Sequence, residues 1–291
     1  MKQSLGGKVF DVFNVFLMLF LMVVTLYPFV YVLFASMSNP LIMTQHTGIL
    51  LWPKELTFSA YEKVFDNPMI LKGYQNTLFI VIVGTTVNLI LTSFGAYGLS
   101  RKKLYFKNAI MFGIVFTMLF NGGLIPTFLL VKSLGLIDSL WALVFPRAMD
   151  AFFLIIMRTY FLGMPDSLEE SAKLDGANDF SILFRIYLPI AMPVVAVMIL
   201  FYGVKNWNTW FHPMIFLRTR ELYPLQLILR EILITNTTDS MMTSAAETDK
   251  EAVGETIKYA TIIVVTVPIL CVYPVLQKYF VKGVMVGAIK E

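Results

Sequence analysis

The chain has 291 residues, of which 57% are hydrophobic and only 14% charged, with a formal net charge of +4. Soluble domains carry roughly 25% charged residues, so this balance, with a mean hydropathy of +0.73, excludes an ordinary soluble protein. The basic residues flank apolar runs, which identifies them as topology determinants and excludes a nucleic-acid-binding stripe.

The first apolar run, from about Val12 to Ala35, follows Lys2 and Lys8. Ser36 and Ser38 offer a weak small-residue cleavage site, but the run is far longer than the roughly 7 to 15 residues of a signal core, which predicts an uncleaved helix. Residues 37 to 76 are mixed in polarity and are broken by Pro40, Pro53 and Pro68. Tyr61 to Phe65 is expected as a short interfacial helix. A second span is predicted from about Leu78 to Leu99. Arg101, Lys102, Lys103 and Lys107 follow it with no acidic residue, a pattern that marks the cytoplasmic side. The third span, about Ala109 to Val131, contains Asn121, Gly122, Gly123 and Pro126, which permit a kink or close helix contact.

The fourth span is predicted from about Leu140 to Phe161. Within it Arg147 and Asp150 stand three apart, the spacing of a pair on one helical face, while Arg158 is expected to snorkel to headgroups. The fifth begins at Pro189 and runs to about Val204, and the sixth covers about Ile257 to Leu276. Six spans with both termini cytoplasmic satisfy the charges of the short loops, with Lys278, Lys282 and Lys290 in a basic tail. Residues 205 to 256 form a long extracytoplasmic region. The fold class is thus all-α polytopic membrane protein, a single transmembrane domain over 1 to 291. Cys271 is the one cysteine beside His46 and His212, so neither an internal disulfide nor a Cys/His metal cluster can be drawn.

The polar island between the fourth and fifth spans, residues 163 to 190, is the most specific stretch. Ser167 and Glu170 have capping-box spacing, Glu169 and Lys173 are four apart in the order that favours an ion pair, and Leu168 and Ala172 share a face. Gly176 suits a left-handed helix end, after which Asn178 or Asp179 can cap a second helix, and Pro189 suits the first turn of the next element. The order Glu170, Ser171, Ala172, Asp175, Gly176, Ala177, then Leu188, Pro189 and Pro193, resembles the EAA loop of binding-protein-dependent ABC importer permeases. Ser171 stands where that pattern has its first alanine.

The resemblance implies a coupling loop that docks on an ATPase, with Glu170, Ser171, Ala172, Asp175, Gly176, Ala177, Leu188 and Pro189 at the contact. It implies the type I importer transmembrane fold in a bacterial cell membrane. The implied partners are a homologous permease in a heterodimer, two ATP-binding subunits carrying ATP and Mg, and an extracytoplasmic solute-binding protein that touches 205 to 256. This chain has no G-x-x-x-x-G-K-[ST] run, so it is expected to hold no cofactor and to be no enzyme itself.

The run KNWNTWFHP sets Trp207 and Trp210 beside Asn206 and Asn208. Aromatic faces with amide groups suit a sugar ring, although tryptophan also marks membrane interfaces. With Asn121 these are the candidate pathway residues. A similar run occurs in carbohydrate permeases of this family. The resemblance extends to the final QKYFVKGVMVGAIKE, similar to the second permease of the maltose-transporter-like group in its oligosaccharide branch. The expected function is import of a carbohydrate, an oligosaccharide, by alternating access. The competing readings are a permease for a non-sugar solute or a secondary transporter. A membrane enzyme would need a clustered catalytic constellation, and the sequence offers none.

Overall fold

The computed structural model describes residues 5–102, 104–234 and 247–288. Lys103, Lys290 and the middle of the long region, 235–246, lie outside the described residues. Among the described residues every regular element is helical: α1 (Leu5–Ser36), α2 (Pro40–Gln45), α3 (Ser59–Asp66), α4 (Pro68–Ser100), α5 (Lys107–Leu119), α6 (Leu124–Ser133), α7 (Trp141–Val144), α8 (Ala151–Leu162), α9 (Asp166–Leu174), α10 (Asp179–Ile190), α11 (Met192–Trp207), α12 (Phe211–Phe216), α13 (Leu225–Ile234) and α14 (Glu247–Ala288).

Three helices are each long and apolar enough to cross a membrane, within Gly6–Ser36, Pro68–Ser100 and Val253–Val272, and the count reaches six if each of three sharply bent pairs is one span. The predicted third span is such a pair, α5 and α6, bent by 113°. The cause is local. The Asn121 side chain accepts the Gly123 N–H at 2.9 Å, and Gly123 takes a φ of +91° that only glycine adopts without strain.

The predicted fourth span is not one continuous helix. Pro146, which lacks an N–H and clashes with the preceding turn, lies in a tight turn over Phe145–Arg147, and α8 starts only at Ala151. The fifth span starts at Met192 rather than Pro189, because α10 and α11 meet at an 86° bend. Pro193 then occupies the first turn of α11, where its missing N–H costs nothing.

The chain divides into two compact units. In the first, Met1–Pro68 with Leu229–Val267, Ala35, Met43 and Leu50 form a small core against Tyr31, Phe34 and Tyr259. Ser36 and Tyr61 share a 2.7 Å hydroxyl hydrogen bond, which ties α1 to α3. Most of α1 is apolar and exposed, as expected of a helix whose solvent is lipid or another membrane chain.

The second unit, Met69–Ile228 with Pro268–Glu291, is organised around α4, whose second half packs along α8. Ala96, Tyr97, Leu154, Met157, Tyr187 and Tyr202 belong to one buried core. A second core gathers Ile80, Val131, Leu143 and Phe216. Two π-helical turns interrupt the longer helices, Ile80–Gly84 in α4 and Leu183–Tyr187 in α10. A π-turn holds one residue more than an α-turn. The first sits where α11 crosses α4, and there a Cβ on Gly84 would lie 3.0 Å from the Asn206 amide nitrogen.

Candidate functional site

Two polar centres stand out in the second unit. The first is the corner between α9 and α10. Helix α9 begins after Pro165, which makes no side-chain cap, and Asp166 and Glu169 lie in its first turn, where their charge complements the positive end of the helix. The expected Ser167–Glu170 capping box is therefore not formed: the proline starts the helix two residues early and places Ser167 inside it. Lys173 and Glu169 do pair, at 2.7 Å.

The helix ends as its sequence predicts. Gly176 takes a φ of +81°, its N–H donates to the Lys173 carbonyl at 3.1 Å, and the Ala177 N–H donates to the Ala172 carbonyl at 2.9 Å. This is the two-bond closure of a Schellman end. Asn178 then caps α10 by accepting the Ser181 N–H at 2.8 Å. The corner presents Glu170, Ser171, Asp175 and Gly176 to the outside, keeps Ala172 buried and leaves Ala177 and Leu188 half-buried. Pro189 is exposed and lies inside α10, directly after the π-turn that accommodates it. Leu174 is 89% and Phe180 65% exposed, apolar side chains set among the charged residues of the corner.

Arg101, read in sequence only as a topology charge, organises the inner side of this corner. Its guanidinium pairs with Glu169, donates to the Tyr187 hydroxyl at 3.1 Å, and lies 4.3 Å from the Tyr97 ring centroid and 4.6 Å from that of Tyr187. Tyr97 in turn donates to Asp179 at 3.3 Å. One side chain thus joins the end of α4 to both short helices. No spacing rule links Arg101 to Glu169, 68 residues apart, so the sequence carries no signal for it.

The second centre lies where the predicted fourth span breaks. Asp150 has extended backbone, caps α8 by accepting the Phe152 N–H at 3.0 Å, and pairs with Lys205 of α11 at 2.6 Å. Arg147, expected to pair with Asp150, instead donates to the Thr209 hydroxyl at 3.0 Å, while the Asp150 carboxylate is taken by Lys205. The Arg147 carbonyl accepts from Asn88 at 2.8 Å. Arg158 donates to the Leu99 carbonyl at 3.0 Å, closing the end of α4 rather than reaching outward.

The pathway candidates separate. Asn206 is buried and donates to Thr85 and Asn88, each at 3.2 Å, so it clamps α11 to α4. Trp207 is 5% exposed, packs edge-on against Tyr74, and its buried indole N–H meets no acceptor among the described residues. It lines a groove of about 990 Å³, with Leu78 and Ile82 of α4 and Pro268 of α14. Asn208 and Trp210 are exposed. Asn121, also exposed, serves the turn before α6.

No family-level sequence model matches the chain. Individual proteins do. The polygalacturonan/rhamnogalacturonan transport system permease protein YtcP of Bacillus subtilis is 42% identical over 94% of this chain and 96% of its own length. The arabinooligosaccharides transport system permease protein AraQ of the same organism is 27% identical over 97% of each. Among solved structures, one chain of a bacterial ABC transporter involved in the import of the acidic polysaccharide alginate superposes with a TM-score of 0.88 at 34% identity, over 96% of this chain and 99% of the other.

Proposed function

The chain belongs to the family of carbohydrate ABC transporter permeases, integral membrane proteins, and on that premise we propose that it is the translocating subunit of an oligosaccharide importer driven by separate ATPases. The α9–α10 corner is its docking surface for an ATP-binding subunit. The observation that carries this is the Gly176 turn, closed by two backbone hydrogen bonds, beside which Leu174 and Phe180 stand exposed while Arg101 anchors its inner side. Exposed apolar side chains on a fixed, charged corner are what a partner cleft buries. On this reading Glu170, Ser171, Asp175 and Gly176 face the ATPase, Ala172, Ala177 and Leu188 support them from inside, and Pro189 ends the contact.

On this reading the corner lies at the cytoplasmic face, the side that the basic residues after α4 favour. ATP and Mg belong to the partner subunits, and this chain contributes mechanics rather than catalysis. A homologous permease completes the membrane domain, and an extracytoplasmic binding protein delivers the sugar to the region 205 to 256.

Purification with the natural partners, followed by ATP hydrolysis measured against a panel of oligosaccharides with the binding protein present, tests the reading. An oligosaccharide-dependent rise in hydrolysis is expected. A rise with amino acids or peptides alone would reject it.

A further inference from the structure

Resting on the reading of an oligosaccharide importer, we infer that the helix break at residues 145–150 and the end of α11 form a subsite for a sugar carboxylate, so that the translocated oligosaccharide carries uronate units. Arg147 and Lys205 bring two cations to this place, and Asp150 supplies one carboxylate, taken by Lys205. Arg147 forms no ion pair among the described residues, and the Thr209 hydroxyl accepts from one of its nitrogens at 3.0 Å. A guanidinium carries five N–H donors in a planar fork that matches a carboxylate, so donors remain for a ligand.

The surroundings suit a charged sugar. Trp210 and Phe211, each 40% exposed with centroids 5.6 Å apart, lie in sequence between Thr209 and His212. Their rings offer the apolar face on which a pyranose stacks. His212 is pushed below its ordinary range, first by burial and then by the charges of Arg147 and Lys205, which places it near both cations and leaves it neutral as a hydroxyl partner.

The Arg147 guanidinium is half-buried, its hydrogen-bond partner is neutral, and Asp150, a carboxylate whose charge reaches it, is already paired with Lys205; a cation so placed in a membrane protein is costly and marks function by default. The neutral alternative is structural: Arg147 pins the break through Thr209 and through Asn88, which donates to its carbonyl at 2.8 Å. The backbone bond survives any change of side chain, so the two readings separate on substitution.

The test uses the whole transporter with its natural partners, reconstituted in phosphatidylcholine vesicles so that no anionic headgroup competes. The probes are galacturonate and mannuronate oligomers, the same oligomers with their carboxyls reduced to alcohols, and an arabino-oligosaccharide. Wild-type protein is expected to import a uronate oligomer about tenfold faster than its reduced form, the effect of one charge-assisted contact. Arg147→Gln removes that preference and raises the half-saturating uronate concentration about tenfold, Lys205→Gln lowers the preference, and Arg147→Lys restores part of it. Should Arg147→Gln fail to assemble, Lys205→Gln and Arg147→Lys carry the comparison.

Equal import of uronate and reduced oligomers, or a preference untouched by these variants, overturns the subsite. So does a variant effect that appears only when anionic lipid is added, which would make the cluster a headgroup contact. Import of neutral oligomers alone rejects the subsite and spares the importer reading, whereas import of no oligosaccharide at all rejects both.

Discussion

The Arg101 guanidinium pairs with the Glu169 carboxylate, so the residue that closes α4 holds the first turn of the α9 corner. Both side chains are less than one-fifth exposed, and losing one partner leaves the other partly desolvated, at a cost of about 1–3 kcal/mol. Arg101→Gln is therefore expected to lower the melting temperature of the purified complex. It should also uncouple hydrolysis from transport, because the corner is no longer tied to the membrane helix. Arg101→Lys should recover only part, since a lysine loses the fork and the flat contact with Tyr97 and Tyr187. Unchanged transport per ATP in both variants would remove Arg101 from the coupling path.

Gly176 occupies open space, with nothing within 4 Å of where a Cβ would stand, yet its φ is +81°. The penalty for a side chain is thus one of backbone conformation, about 1–2 kcal/mol, and not of collision. Gly176→Asn should be the best tolerated replacement. Gly176→Asp should abolish transport while leaving membrane insertion intact, since it adds a charge at the proposed docking surface. Co-purification with the ATP-binding subunit measures the difference, and equal recovery for the glycine and aspartate proteins would count against docking there.

At Gly84 the constraint is proximity. Gly84→Ala forces the Asn206 amide, 3.0 Å from the new Cβ, away from Thr85 and Asn88. We expect a loss of about 1–3 kcal/mol, read as a lower unfolding temperature. Asn206→Ala in the same chain should relieve part of it, and strict additivity of the two changes would show that the residues do not interact.

Trp207→Phe isolates the indole N–H, which meets no acceptor among the described residues. Expression and thermal stability should change little, because the ring still packs on Tyr74. A fall in uptake without a fall in expression assigns that N–H to a sugar hydroxyl. Parallel losses return Trp207 to packing alone.

Asp138 accepts from the Thr219 hydroxyl at 2.5 Å and from the Thr219 and Arg218 N–H groups at 2.8 and 2.9 Å. These bonds, the hydroxyl's foremost, hold its carboxyl below the ordinary value of 3.8. A depressed pKa stabilises the folded form fully above the ordinary value and loses that support as pH falls through the lower one. Amide exchange at Thr219 should stay protected through neutral pH and open only in acid below the ordinary carboxylate range. Asp138→Ala should expose the amide at every pH and speed trypsin cleavage after Arg218 and Arg220.

Local chemistry was legible in the sequence and long-range pairing was not. The Gly176 corner, the Asn178 cap and the Glu169–Lys173 pair follow from spacings of three or four residues, and the structure reproduces each. The first helix was legible because an apolar run of that length has few alternatives. The Arg147–Asp150 pairing fails because a helical face is assumed across Ala148 and Met149, where the backbone leaves the turn over Phe145–Arg147 before the next helix starts at Ala151. Ser167 fails as a cap because Pro165 fixes the start of its helix. For Asn206 the sequence offers an amide beside tryptophans, which suits a sugar, while the donation of its amide nitrogen to Thr85 and Asn88 depends on the approach of α4 and has no local signal.

The π-turn Ile80–Gly84 acts on α4 as a phase shifter. Before it, Asn76 donates to the Glu221 carbonyl at 2.7 Å and Thr77 accepts the Leu225 N–H at 2.8 Å. After it, Asn88, Thr92 and Arg101 meet the α8 break, α11 and the corner. Deleting one residue from the turn would restore ordinary α spacing and rotate one half against the other by about 100°. Either set of contacts could then be kept, but not both. The extra residue lets one helix answer to two differently aimed neighbours, and its deletion would cost more than any single side chain removed from either half.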